Sequence, residues 1–393
     1  MQKQTKSIRI QAERSQNREH SVPLYLTSSY TFEDAEMGRA MFAEEIPGNL
    51  YSRYQNPNVD EFTAKMSMLE NTEDSLAFAT GMAAIFGVFG GLLKSGDHIV
   101  ASKALFGSAI QILSKILPKW GITCTYVDGA DLAQWQNGIK ENTKMLFCES
   151  PTNPGLEITD ISFLNDLKIK HNLILAVDNC FATPIVSNPA DLGADLVVHS
   201  ATKYIDGQGR VLGGVICGKK DLIAEIRFFA RHTGPSMSPF NAWILSKSIE
   251  TLQLRVEKHC ENALKLAHKL EGNPAINKVN YPFLLSHPQY DLAKKQMKMG
   301  GAIVTIEVKG GFEAVNELTK HLKIASISPN LGDTRTIITH PASTTASKLT
   351  PNEKAEVGIT EGLVRIAVGL EAIDDLIADF EEALAKVGEL VRV

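Results

Sequence analysis

From Val59 onward, short unbroken apolar runs alternate with stretches of helical spacing, and that alternation leaves few folds open. Asp74 to Ala79, His98 to Ala101, Thr123 to Val127, Lys144 to Glu149, Leu173 to Asp178, Leu196 to His199 and Val211 to Cys217 read as strands. Val59 to Glu70, Met82 to Lys94 and Ser108 to Leu117 read as helices set among them. Strands apolar on both faces belong to a sheet covered on both sides, and β-α alternation makes such a sheet mostly parallel. The expected fold class is therefore α/β.

Near Ile249 to Leu270 the pattern changes to one long helix, with Leu252, Val256, Ala263 and Leu266 at helical spacing. Ala302 to Val308 and Leu363 to Val368 then read as strands, and Ile373 to Val387 as a closing amphipathic helix. The chain of 393 residues is long enough for two domains. The expected division is an N-terminal arm over 1–57, a large domain over 58–250 and a smaller α/β domain over 251–393. The arm shows little periodicity but carries several aromatics, which need a surface to pack on; a neighbouring subunit is the natural one.

Composition removes several function classes. A net charge of −5 with dispersed Lys and Arg gives no footprint for nucleic acid or another polyanion. Five cysteines, odd in number and never in a C-x-x-C pair, argue against disulfides and zinc and for a reducing compartment. The longest apolar run, Met82 to Leu93, falls short of the roughly 20 residues a spanning helix needs. Its Gly87-x-x-x-Gly91 reads as a mark of tight core packing. With a polar first 20 residues, the expectation is a cytoplasmic protein without membrane contact.

Open α/β sheets bind ligands at the carboxyl ends of their strands, and five signals fall there. Lys203 follows Leu196-Val197-Val198 and is flanked by Ser200 and Thr202, a setting for a desolvated, nucleophilic amine or for a charge that merely ends a strand. Thr80-Gly81-Met82 opens a helix, where backbone N–H groups favour an anion. Asp178 ends a buried strand and could hold a pyridine nitrogen protonated, cap a helix or ligate a metal. Asn153, in Glu149-Ser-Pro-Thr-Asn153-Pro154, could be turn chemistry alone. Arg365 interrupts the apolar run Leu363 to Leu370 and is costly there unless it grips a carboxylate or a structural acid. Gly213-Gly-Val-Ile-Cys-Gly218-Lys219-Lys220 mimics a phosphate loop, but it ends in Lys where the loop needs Ser or Thr. The ten histidines show no metal-ligand spacing.

Taken in order, Tyr51-Ser-Arg53-Tyr-Gln-Asn-Pro57, Thr80-Gly-Met82, Glu149-Ser-Pro-Thr-Asn-Pro154, Val177-Asp-Asn179, Ser200-Ala-Thr-Lys-Tyr204 and Leu363-Val-Arg-Ile-Ala-Val-Gly-Leu-Glu371 carry a resemblance. Over nearly its full length the chain resembles the pyridoxal-phosphate enzymes of cysteine and methionine metabolism, the transsulfuration group of fold type I (aspartate-aminotransferase-like). His199 to Arg210 and Gly234-Pro-Ser-Met-Ser-Pro-Phe-Asn-Ala-Trp243 are most similar to members that attach sulfide to homoserine esters.

The resemblance implies pyridoxal 5'-phosphate carried on Lys203, which also moves protons. It implies Asp178 at the pyridine nitrogen, and a phosphate site made of Gly81, Met82, Ser200 and Thr202. Tyr51 and Arg53 would complete that site from the neighbouring subunit of a homotetramer, with Tyr51 or Lys203 as acid. Asn153 would lie beside the cofactor ring and substrate, and Arg365 would take the substrate α-carboxylate. The implied reaction is γ-replacement on an O-acylhomoserine, the succinyl ester ahead of the acetyl, with sulfide giving homocysteine. Use of cysteine in place of sulfide, as in cystathionine γ-synthase, stays open. Two departures stand against a methionine γ-lyase: Phe106 occupies the position of a ring-stacking tyrosine, and Ser108 that of a cysteine. Arg335 falls where many relatives carry an acid, and it is expected near the substrate's distal end, favouring an anionic acyl group.

Overall fold

The computed structural model describes residues 1–391. Seven strands form the larger sheet: β1 (Asp74–Phe78), β2 (His98–Ser102), β3 (Thr123–Val127), β4 (Thr143–Glu149), β5 (Ile174–Asp178), β6 (Leu196–Ser200) and β7 (Gly214–Gly218). Their spatial order is β1-β7-β6-β5-β4-β2-β3. Every pairing from β6 through β3 is parallel, whereas β7 runs antiparallel to both β6 and β1. The expected mostly parallel sheet is present, with β7 as its one reversed strand.

Alternation along the strands feeds two separate apolar layers. Phe147, Leu196, Val198 and Ile216 face the helices Gly81–Leu92 and Lys220–Thr233. Leu146, Cys148, Leu175, Val177 and Val197 face the helix Ile161–His171 together with Trp135. The glycines of Met82 to Leu93 serve that packing. A Cβ on Gly87 would meet Phe78 Cζ at 2.7 Å, and one on Gly91 would meet Ile226 Cα at 3.0 Å. Among the described residues no helix is long and apolar enough to cross a membrane.

A second, five-stranded sheet comprises β8 (Ile276–Asn280), β9 (Ile303–Val308), β10 (Ser326–Ile327), β11 (Ile337–Thr339) and β12 (Leu363–Ala367), in the order β10-β11-β12-β9-β8. The helices Leu252–Leu270, Gly311–His321 and Ile373–Val391 contribute to its core through Leu266, Leu318 and Phe380.

Two local readings change. The helix expected over Ser108 to Leu117 is short (Gly107–Gln111), then widens into a π turn over Ile112–Ile116 and tightens into a 3₁₀ turn at Leu117–Trp120. Pro118 has no N–H to continue the ladder, and the Ser114 hydroxyl donates to Ile110 O at 2.7 Å. The strand expected from Val211 starts only at Gly214. Gly213 instead exchanges both backbone groups with the Thr202 hydroxyl. The arm is less featureless than its sequence, with helices at Lys3–Arg9 and Ala35–Phe42.

Candidate active site

The carboxyl ends of β4, β5 and β6 open into a cavity of about 310 Å³, whose far wall is the second sheet. Glu149, Asp178 and Ser200 end those strands, and Arg365 reaches in from β12. Thr80, Gly81, Met82, Phe106, Asn153, Thr202 and Lys203 complete the polar and aromatic lining, with Ile85, Phe181 and Leu331 as apolar walls. Residues scattered from position 80 to 203 are thus brought together at or just past the carboxyl ends of the large sheet's strands, and Arg365 meets them from the middle of β12 in the second sheet.

Thr80 caps the helix Gly81–Leu92, its hydroxyl accepting from Ala83 N–H at 3.0 Å. Below this cap the first N–H groups of the helix have no intrahelical acceptor, which makes the turn an anion site. Gly81 is required here: a Cβ would lie 2.6 Å from Ser200 Cβ and 2.9 Å from Ser200 Cα. Ser200 therefore packs closely against the helix start.

Lys203 lies in the turn that follows β6. Its amide donates to Ser200 O at 3.2 Å, and its carbonyl accepts from Gly207 N–H at 2.8 Å. Its Nζ donates to Asn330 Oδ1 at 2.6 Å. Burial lowers the pKa of the amine and the Arg365 charge adds to that, against an opposing pull from Cys180. That shift favours the unprotonated, nucleophilic form of the amine. Arg255 holds the turn from behind, donating to Tyr204 O at 2.7 Å, Ile205 O at 3.2 Å and Ser248 O at 2.9 Å.

Asp178 accepts from Cys180 N–H at 3.0 Å. Burial pushes its carboxyl up to about 6, against the Cys180 N–H and the His199 charge. Glu149, in register beside it, is raised well above the carboxylate range by burial and then by Asp178.

Arg365 is 2% exposed yet meets no carboxylate. Its Nη1 donates to Asn153 Oδ1 at 3.1 Å, and its Nη2 to Pro329 O, Asn330 O and Thr339 Oγ1 at 3.0 to 3.3 Å. Its Nε is buried without a partner. Burial brings its pKa down to about 10, so it remains charged at neutral pH. A buried guanidinium whose hydrogen-bond partners are neutral groups, with a spare donor, is suited to receive a carboxylate.

Three expected site residues are elsewhere. Tyr51 and Arg53 line a separate cleft with Ser236, Met237, Ser238 and Pro239, and Arg53 donates to Arg231 O. Arg335 does not line the cavity. Its guanidinium is paired with Asp333, Nε to Oδ1 and Nη2 to Oδ2 each at 2.9 Å, and its side chain is 66% exposed. Conversely, Asn330 and Arg255 bear on Lys203, and Glu149 lines the cavity, without having drawn attention in the sequence. Glu149 did carry a signal: an acid ending the buried apolar run Met145 to Cys148.

The pocket suits the cofactor implied by the sequence. A phosphate fits the helix start and the hydroxyls of Ser200 and Thr202. A pyridinium fits Asp178, whose burial leaves it wanting a cation. Phe106 offers an aromatic face and Lys203 the amine for an aldehyde.

Comparison with known proteins agrees. Residues 4–385 match the family described as Cys/Met metabolism PLP-dependent enzyme. The chain is 46% identical over 381 residues to an O-succinylhomoserine sulfhydrylase of Pseudomonas aeruginosa, covering 97% of this chain and 94% of that one. It is 44% identical over 367 residues to an L-methionine gamma-lyase of Porphyromonas gingivalis, covering 93% and 92%. Among solved structures, an O-acetylhomoserine (thiol)-lyase from Campylobacter jejuni, holding N'-pyridoxyl-lysine-5'-monophosphate, superposes with a TM-score of 0.94 at 33% identity, covering 98% and 100% of the two chains.

Proposed function

The chain belongs to the Cys/Met metabolism PLP-dependent enzymes, and from that premise we propose that it replaces the γ-acyloxy group of O-succinylhomoserine with sulfide, giving homocysteine and succinate. The observation that carries this choice is Phe106 on the cavity wall. Phe106 has no proton to give. A departing carboxylate needs little protonation, since carboxylic acids ionise near pH 4, whereas a departing thiolate is far more basic. An ester is therefore the better match than a thioether.

When bound, the cofactor supplies an electron-withdrawing ring that accepts charge from the substrate's α-carbon. Asp178 keeps a proton at the ring nitrogen. The helix start at Gly81 and Met82, with Ser200 and Thr202, would anchor its phosphate, and Phe106 would offer an aromatic face to its ring. Asn153 and Arg365 hold the α-carboxylate, fixing which bond at the α-carbon faces the amine. Lys203, its amine's pKa lowered by burial, would attach the cofactor and take the α-proton.

Tyr51 and Arg53 serve the phosphate site of a neighbouring copy, with Tyr51 or Lys203 returning protons. Their distance from their own chain's pocket supports that reading. We extend the proposal to a homotetramer with shared sites and a cytoplasmic setting, which suits five unpaired cysteines. The large domain, the smaller domain and the arm follow the division at 57 and 250.

γ-Elimination from methionine is the second reading, favoured by the similar identity to an L-methionine gamma-lyase. Initial rates of the cofactor-loaded protein with O-succinyl- and O-acetyl-L-homoserine, each against sulfide and L-cysteine, and with L-methionine alone, decide among these. The succinyl ester with sulfide should give the highest kcat/KM. Faster turnover of methionine, of the acetyl ester or of cysteine as acceptor would overturn the assignment.

A further inference from the structure

We propose that the helix Leu252–Leu270 is a strut that sets the distance between the Lys203 turn and the Arg365 grip, with Arg255, His259 and Asn262 as its positioning residues. All three are buried, and their spacing of i, i+4 and i+7 puts them in one stripe of a face that is otherwise largely apolar. Arg255 donates to Tyr204 O at 2.7 Å and Ile205 O at 3.2 Å, within the turn that carries Lys203. His259 Nδ1 donates to Val368 O at 2.7 Å, and Asn262 Nδ2 to Gly369 O at 3.1 Å and Glu371 O at 2.9 Å. A carbonyl only accepts, so His259 carries a proton on Nδ1. Those three carbonyls follow directly on β12, the strand that holds Arg365. The His259 ring also stands edge-on to Tyr204, with centroids 5.5 Å apart. One face, over about 10 Å of helix, thus grips both walls of the pocket.

Buried polar side chains on a helix are costly unless each finds a partner. Here the partners are backbone carbonyls in segments outside any strand or helix, which need donors from elsewhere. The demand on their placement is strict. Lys203 and Arg365 come from different sheets, yet the amine and carboxylate of every α-amino acid are joined through a single carbon. An error in the separation of the two walls therefore costs binding directly. Asn330 also links them, its Oδ1 accepting from Lys203 Nζ and its carbonyl from Arg365 Nη2. That link reaches only the flexible tip of the lysine, whereas the helix fixes the backbone of its turn.

The test compares two ligands of the cofactor-loaded enzyme, each titrated by cofactor absorbance. L-Norvaline spans the amine and carboxylate ends, and n-butylamine is the same molecule without its carboxylate. Asn262→Leu keeps the side chain's bulk and removes both donors to the segment after β12. Hydride should still trap the cofactor on Lys203, and n-butylamine affinity should stay at the parental value. Norvaline affinity should fall roughly tenfold, as expected when one end of a two-point grip is displaced. A lower Tm with the parental ratio of the two affinities means support of the fold alone and overturns the proposal. An equal loss for both ligands overturns it as well.

The proposal rests on the reading of Arg365 as the carboxylate receptor, and Arg365→Lys checks that reading separately. If that variant keeps the parental preference for norvaline over n-butylamine, the reading fails and takes the strut with it. If it loses the preference while Asn262→Leu keeps it, the strut alone fails. Should Asn262→Leu not fold, His259→Phe carries the test. It preserves the ring against Tyr204 and removes the donor to Val368 O, so the same split between ligands supports the strut and an unchanged ratio refutes it.

Discussion

Arg365→Lys isolates the geometry of the carboxylate grip from its charge. Arg365 is charged and buried, and no carboxylate among the described residues hydrogen-bonds to it, so on the proposed reading the substrate would supply the counter-ion. Lysine retains the charge but offers a point in place of a planar fork. A bidentate grip would drop to one hydrogen bond, and a bond to a charged group contributes about 1.5–3 kcal/mol. At 1.4 kcal/mol per factor of ten, affinity for the amino-acid substrate should fall roughly 10- to 100-fold. The carboxylate is held alike in ground and transition states, so the loss belongs in KM, with kcat changed by less than about threefold. Steady-state kinetics with the cofactor-loaded variant, and L-norvaline titration in parallel, measure both quantities. A KM within threefold of the parent would refute the assignment of Arg365 as the receptor. A fall confined to kcat would instead place the residue in a proton-transfer step.

Four further outcomes follow from the same geometry. Because burial raises Asp178 in the folded protein, the folded state binds its proton more tightly than the unfolded chain does, and this residue's contribution to stability falls as pH rises from about 4 to about 6. Ligand-free Asp178→Asn should lose that slope in Tm against pH while binding pyridoxal phosphate more weakly; an unaltered slope refutes the linkage. Gly81→Ala forces Ser200 and the helix start apart and should weaken cofactor binding about tenfold or more, read by equilibrium dialysis, with normal retention counting against a phosphate site there. Mixing inactive Lys203→Ala with Arg53→Ala chains, then refolding, should recover part of the activity if the arm serves a neighbouring copy, and none if it serves its own. Arg335→Ala removes an exposed pair with Asp333, so the succinyl-to-acetyl ratio of kcat/KM should move less than about threefold; a larger change restores Arg335 to the acyl end.

Strands buried on both faces announce themselves as largely continuous apolar runs, which is why β2, β4, β5 and β6 were legible within a residue or two of their ends, whereas β3 (Thr-Cys-Thr-Tyr-Val) is a half-exposed edge strand marked by its β-branched and aromatic residues. A polar residue ending such a run has few innocent explanations, so Asp178, Lys203 and Arg365 stood out and do converge on one cavity. Arg335 could not be placed from sequence because a loop carries no packing pattern to say which way a side chain turns, and Asp333, two residues earlier, pairs with it. The partners of Glu149 and Arg255 are backbone groups, which leave no trace in residue identities. The reversal of β7 was equally hidden, since strand direction is set by connections and not by composition.

The position of Arg365 along the chain bears on how the enzyme is made. β12 is the last strand, yet it supplies the wall opposite Asp178 and Lys203. During synthesis the phosphate cradle and the lysine emerge some 160 residues before the arginine. A nascent chain can therefore present an amine and an anion site while the pocket still lies open to water, and chains that end before Leu363 would offer the cofactor only an unwalled cleft too open to retain it. Loading with pyridoxal phosphate should accordingly come late, after the second sheet has docked. Truncated products would be recognisable in a lysate as colourless protein.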